Sequence, residues 1–259
     1  MTNITENKNN LLDEMINQLD LPSYVIEKTL KRYKSLGEWF NRDKCSIKAD
    51  VDVFPQGSFA LGTTIKPLHD KEEYDLDIGC KVNIKNFKLT YTQKDLKQMF
   101  CSELEKYRVS KGIEERIEEK HRCLRLDYQD KIKFHLDIVP CIPLNNTGQS
   151  HYKNQLETAF NYHEPLKDTI VKAALNITDN RHDNFNIVSD DWIVSNPQGY
   201  IKWFESMMTK GHIEFSKRAS IEHIPLHTKK NILQRCIQLL KRTRDNMLGD
   251  DYFKRISIF

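Results

Sequence analysis

The sequence predicts an α+β protein of two lobes: a strand-rich block behind a long helix, followed by a mainly helical half. Three observations lead there. Apolar residues recur near a 3.6-residue period at Ile26, Leu30, Tyr33 and Phe40. The period then changes to strict alternation in Ile47-Lys48-Ala49-Asp50-Val51-Asp52-Val53, and shorter alternating runs follow as far as Val139. Beyond about residue 150 the helical period returns.

In order along the chain, residues 11–19 read as a short amphipathic helix, and Pro22-Ser23 opens the longer one. The turn Phe54-Pro55-Gln56-Gly57-Ser58 ends the first strand, with Ser58 expected to cap a short helix reaching about Gly62. Tyr74-Asp75-Leu76-Asp77-Ile78-Gly79 is a second strand, residues 93–107 a helix, and Cys123–Tyr128 and Lys133–Val139 two more strands about the turn-like Gln129-Asp130. Pro140 and Pro143 close the first lobe, taken as residues 1–150. The second lobe, 151–259, holds helices at 153–161, 164–175, 197–209 and 228–246, with Thr228 as N-cap of the last.

Composition excludes several classes. The 259 residues are 39% hydrophobic, enough for a core, and only 17 are Gly or Pro, which argues against a low-complexity chain. The mean hydropathy is −0.65. No apolar run is long enough for a membrane span, and Met1-Thr2-Asn3-Ile4-Thr5-Glu6 carries no apolar leader. Six cysteines without a C-x-x-C pair fit free thiols, so the expected compartment is the cytoplasm. The net charge of +3 is too small to call for a long nucleic acid. It is unevenly spread: residues 217–259 carry ten basic and four acidic side chains, so the remainder is net acidic. A basic end facing an acidic body suits a small polyanion.

Taken singly, the candidate site residues are unremarkable. Gly57-Ser58 is a turn whose backbone N–H groups and hydroxyl can cradle a phosphate, and such turns are common. Asp75 and Asp77 share one strand face while Leu76 and Ile78 take the other, and two carboxylates side by side repel unless water or a cation separates them. In Phe134-His135-Leu136-Asp137-Ile138-Val139 the polar pair His135 and Asp137 projects opposite an apolar face. His135 reads as a sheet-face residue, not a general base. Together the pieces say more. The Gly-Ser turn lies 17 residues before an Asp-x-Asp strand, and a third Asp follows 60 residues later on another strand. Three carboxylates converging before a phosphate cradle suit two divalent ions, since Mg²⁺ takes hard oxygen ligands. That is the layout of two-metal nucleotidyl transfer.

The runs Pro55-Gln56-Gly57-Ser58-Phe59-Ala60-Leu61-Gly62-Thr63, Tyr74-Asp75-Leu76-Asp77-Ile78-Gly79 and His135-Leu136-Asp137-Ile138-Val139-Pro140 closely resemble the bacterial CD-NTases. These are relatives of cyclic GMP-AMP synthase, DncV-like nucleotidyltransferases of CBASS anti-phage defence. Trp192–Phe204 is similar to a segment these enzymes carry after the third Asp. The resemblance implies a polymerase-β-like fold, with a mixed-sheet lobe, an N-terminal spine helix, a helical lobe and the active site in the cleft. It implies an enzyme that joins nucleoside triphosphates, ATP among them, into a cyclic di- or trinucleotide second messenger, using two Mg²⁺ or Mn²⁺ ions. Asp75, Asp77 and Asp137 match the catalytic, metal-binding carboxylates; Gln56, Gly57 and Ser58 match the triphosphate cradle; Lys241 and Ser257 match a late-helix Lys and a following Ser that contact the donor triphosphate. The implied partners are a separate CBASS effector reached through the product and a regulatory protein, with neither membrane nor long nucleic acid required. The resemblance also implies further helix after Lys254-Arg255-Ile256-Ser257-Ile258, hence a C-terminally shortened chain with open apolar surface around Leu233, Ile237 and Leu240.

Two alternatives share these residues. One is a polymerase-β-like enzyme adding nucleotides to RNA or protein, which wants a basic track for its acceptor. The other is a catalytically silent nucleotide-binding module, against which the retention of all three carboxylates argues.

Overall fold

The structure, a computed structural model, describes residues 14–68, 73–128, 134–159, 164–208 and 230–248. Its centre is a seven-stranded sheet in the order β1-β2-β5-β4-β3, with β6 paired to β5 and β7 to β6. The strands are β1 (Val51–Gln56), β2 (Tyr74–Val82), β3 (Glu118–Glu119), β4 (Leu124–Tyr128), β5 (Phe134–Pro143), β6 (Leu175–Ile177) and β7 (Ile193–Ser195). β2 and β5 run parallel, and every other pairing is antiparallel, so the sheet is mixed.

One face of the sheet is the core. Leu76 and Ile78 of β2, Leu124 and Leu126 of β4, and Leu136 and Ile138 of β5 all point into it and are fully buried. Two helices cover them, α1 (Ser23–Phe40) through Leu36 and Phe40 and α3 (Gln93–Ser110) through Leu96, Phe100, Leu104 and Tyr107. The period-2 alternation therefore decides the function of the sheet: each leucine or isoleucine turned inward turns an Asp, His or Arg to the open face. α3 starts on a capping box, Thr92 Oγ1 accepting from Asp95 N at 3.1 Å and Asp95 Oδ2 accepting from Thr92 N at 2.8 Å.

The helices outside this layer are α2 (Gly57–Ala60), α4 (Asn146–Ala159), α5 (Glu164–Lys172), α6 (Pro197–Met208) and α7 (Ile232–Leu248). β6 and β7 are not predicted from the sequence, because three residues are too few to display a period. β5 runs through Pro140 instead of ending there. Pro140 stays in register with Cys80 of β2, while on the other side the ladder to β4 reaches Ile138 and the ladder to β6 begins at Cys141. Ser58 lies inside α2 and not at its cap, which is Gln56. Thr228 and the expected turn at Gln129-Asp130 lie outside the described residues; Asn231 caps α7, its Oδ1 and the Gln234 Oε1 exchanging bonds with each other's N–H at 2.9 Å. On α7, Ile237 packs with Leu61 and Phe204, while Leu233 and Leu240 are exposed. Among the described residues no helix is long and apolar enough to cross a membrane.

Candidate active site

The open face of the sheet brings the sequence-predicted carboxylates into register. Asp77 of β2 is paired with Asp137 of β5, and Asp75 with His135. β1 continues the first row, with Gln56 opposite Asp77, and β4 completes it, with Arg125 opposite Asp137. A row Gln56, Asp77, Asp137, Arg125 thus crosses four strands, above a second row Asp75, His135, Asp127.

The cradle turn meets this row directly. β1 ends on the extended Gln56, and Gly57 follows in the left-handed region at φ +66°. A Cβ on Gly57 would stand 2.2 Å from Asp77 Oδ2, so only glycine lets the turn come this close to the carboxylate. Ser58 Oγ is 3.0 Å from Thr64 Oγ1, and Ser58 O accepts from Thr63 N at 2.9 Å. α7 then closes over the turn with its polar side. Gln234 Nε2 donates to Leu61 O at 2.8 Å, Gln238 Nε2 to Thr64 O at 2.9 Å, and Lys241 Nζ to Thr63 O at 3.2 Å. Gln234 and Gln238 are fully buried. The chain between Leu61 and Thr64 makes a tight turn whose carbonyls need donors, and α7 supplies three.

The electrostatics are those of crowded like charge. Burial, then the charges of Asp137 and Asp75, push Asp77 up to about 7, with Arg125 and Lys241 opposing. Burial lowers Lys241 to about 8, helped by the charge of Arg244 and resisted by Asp245 and Asp77. Arg125 grips Asp137 with two charge-assisted bonds, Nε to Oδ1 and Nη2 to Oδ2, each 2.7 Å. His135 is engaged at both ring nitrogens, Nε2 by Glu73 and Nδ1 by Asp127, as fits a sheet-face residue.

The structure therefore joins Asp75, Asp77, Asp137, Gln56, Gly57, Ser58 and Lys241 in one region, while Ser257 lies outside the described residues. It does not present a finished metal cluster: among the described residues no three His, Cys, Asp or Glu side chains are grouped closely enough to hold an ion. The fork of Arg125 occupies both oxygens of Asp137. The donor set nonetheless fits a hard dication, because it is all carboxylate and Asp77 carries a charge penalty that a cation would relieve. Sequence reading missed Arg125, Gln234 and Gln238. Arg125 was signalled by the alternation of Leu124, Arg125 and Leu126, and the glutamines by their spacing with Lys241 and Asp245 along one helix face.

An Asp-x-Asp strand lying parallel to a strand with a third Asp, behind a Gly-Ser turn and on a mixed sheet backed by helices, is the polymerase-β-like nucleotidyltransferase fold. Residues 51–141 match the family described as cyclic GMP-AMP synthase DncV-like, nucleotidyltransferase domain. The c-di-GMP synthase of Roseivirga ehrenbergii is 28% identical over 218 residues, which are 82% of this chain and 48% of that protein. The CD-NTase CdnG of Bradyrhizobium diazoefficiens, solved in complex with GTP, superposes with a TM-score of 0.59 at 20% identity, over 93% of this chain and 64% of that one. The chain spans about half the length of the curated relative it matches. The resemblance to the CD-NTases is borne out, with residues 51–141 matching the DncV-like nucleotidyltransferase domain.

Proposed function

We propose that the protein joins nucleoside triphosphates into a cyclic dinucleotide, or a trinucleotide, that serves as a second messenger in anti-phage defence. The observation that carries this is the register of Asp77 with Asp137 directly against the Gly57-Ser58 turn. The similarity to a c-di-GMP synthase supports a cyclic dinucleotide and makes GTP, beside ATP, the first substrate to test. The lobe division at about residue 150 belongs to the same reading, with β6 and β7 joining the sheet from beyond it.

In this reading Asp75, Asp77 and Asp137 hold two Mg²⁺ or Mn²⁺ ions, whose Lewis acidity would lower the pKa of the attacking hydroxyl and steady the leaving pyrophosphate. The backbone at Gln56 and Gly57 and the hydroxyl of Ser58 orient the donor triphosphate, with Lys241 and Ser257 adding cationic and hydroxyl contacts. A ribose hydroxyl oxygen attacks the α-phosphorus, the bond to the bridging β-phosphate oxygen breaks, and pyrophosphate leaves. The hydroxyl proton passes toward a carboxylate oxygen of Asp137. A second round within the linear product closes the ring. The product acts through a separate CBASS effector, under a regulatory protein, in the cytoplasm.

The test is incubation of the protein with the four NTPs and Mg²⁺ or Mn²⁺, then phosphatase, then mass spectrometry. A phosphatase-resistant cyclic nucleotide is expected. No product from NTPs, with extension of an added RNA, would show an RNA-modifying enzyme; bound nucleotide without turnover would show a silent module.

A further inference from the structure

Arg125 stands in the carboxylate row as its fourth member. Besides the two 2.7 Å bonds to Asp137, its Nη2 lies 3.8 Å from Asp75 Oδ1. The guanidinium side chain is 23% exposed and that of Asp137 15%, so the pair is largely shielded from water, whereas Asp75 is 58% exposed. A guanidinium cannot shed its proton, and its planar fork fixes both the position and the plane of the carboxylate it grips. It thereby puts a unit positive charge within 4 Å of both Asp75, two strands away on β2, and Asp137, on the adjacent β5. A dication approaching Asp137 meets one lone pair on each oxygen already engaged and a like charge 2.7 Å from those oxygens.

We infer that Arg125 is the resting counter-cation of Asp75 and Asp137, and that Asp137 becomes a metal ligand only when the guanidinium lets go. The inference rests on the assignment of Asp137 as a metal ligand made above. Arg125 is then a positioning residue that acts through Asp137. It keeps the carboxylates tolerable to one another in the empty protein and sets the threshold at which the site takes up metal. The opposite role is equally concrete: an Arg125 that stays on Asp137 throughout would aim the carboxylate at the metal, and its removal would weaken metal binding.

The experiment is a titration with Mn²⁺ in the absence of nucleotide, followed by the paramagnetic resonance signal of the free ion. It compares the unaltered protein, Arg125→Met, Arg125→Lys and the double variant Arg125→Met with Asp137→Asn. Arg125→Met should bind Mn²⁺ roughly ten- to a hundredfold more tightly than the unaltered protein, the range that loss of a charge-assisted pair implies. Arg125→Lys, a point charge without the fork, should fall between them, and the gain should vanish in the double variant. A folded Arg125→Met that binds Mn²⁺ no more tightly, or more weakly, overturns the inference, as does a gain that survives loss of Asp137. Should Arg125→Met fail to fold, Arg125→Lys decides by the same sign. Mn²⁺ binding needs no turnover, so the two readings fail separately. A protein that never joins nucleotides defeats the proposed function alone, and an unchanged Mn²⁺ affinity in an active enzyme defeats the role of Arg125 alone.

Discussion

Gly57 backs directly onto the carboxylate of Asp77: a Cβ at that position would lie 2.2 Å from Oδ2 and 3.0 Å from Cγ. The turn that would cradle a triphosphate and the carboxylate that would hold its metal are thus separated by no side chain.

Gly57→Ala tests this coupling. The left-handed φ of +66° alone makes the substitution cost about 1–2 kcal/mol. The three atoms that a Cβ would meet all belong to the Asp77 side chain, so relief of the contact falls on Asp77. A displacement near 1 Å at a reacting centre lowers rate by on the order of a hundredfold. Nucleotidyl transfer should therefore fall far more than stability does, as read by product formation and by thermal melting on the same preparation. Near-full activity would show that Asp77 does not need its present position.

The double substitution Asp75→Asn and Asp77→Asn should abolish product without unfolding the protein. It should also raise the melting temperature in the presence of a chelator. Burial and the neighbouring carboxylates disfavour the charged form of Asp77, and an amide of the same shape removes that penalty. Measurable product from the double variant would sink the assignment of these residues as metal ligands. A lower melting temperature in chelator would show that the charges are structurally supported.

These residues were legible because alternation and chemistry coincide in them. Leu76 and Ile78 announce the buried face, which leaves Asp75 and Asp77 only the open one, and Phe134, Leu136 and Ile138 do the same for Asp137. What was not legible depends on partners remote in sequence. β6 exists because Leu175 to Ile177 pair with the end of β5, and nothing in three residues states that. On α7 the apolar Leu240 is 57% exposed while the polar Gln234 is 1% exposed. The polar side turns inward because the carbonyls of Leu61, Thr63 and Thr64 are left open by a turn 170 or so residues earlier, as the bonds from Gln234, Lys241 and Gln238 show. Hydrophobic periodicity alone has no means of weighing that demand.

Lys241 separates a structural from a substrate role. Its ammonium donates to Thr63 O at 3.2 Å and to Thr63 Oγ1 at 3.4 Å, so Lys241→Met loses two partly buried bonds at the turn. If the lysine also meets the donor triphosphate, it loses a charge-assisted contact worth roughly 1.5–3 kcal/mol. NTP affinity, measured by calorimetry, should then drop by at least about tenfold while the melting temperature changes little. Unaltered affinity with a lowered melting temperature would show that Lys241 serves Thr63 only.

Glu103 offers a test of the fold's stability remote from the site. On α3 its side chain is fully buried, facing α1 and the segment that leads to β1. Arg42 and the Ser46 hydroxyl donate to it, as do Ser46 N at 3.1 Å and Lys106 Nζ at 3.3 Å. Burial raises its pKa, but the bonds from Ser46, Arg42 and Lys106 prevail and hold it down at about 2. Its ordinary value is 4.5, so the folded state binds the proton less readily than the unfolded chain. The stability this contributes is complete above pH 4.5 and disappears as pH falls toward 2. A separation of this size is worth on the order of 3 kcal/mol. Glu103→Gln keeps the shape but not the charge, so it should destabilise the protein by that order at pH 7. The gap between variant and unaltered protein should narrow steadily below pH 4.5. Urea unfolding at a series of pH values measures both curves. Parallel curves down to pH 3 would show that the buried carboxylate contributes through packing and not through its charge.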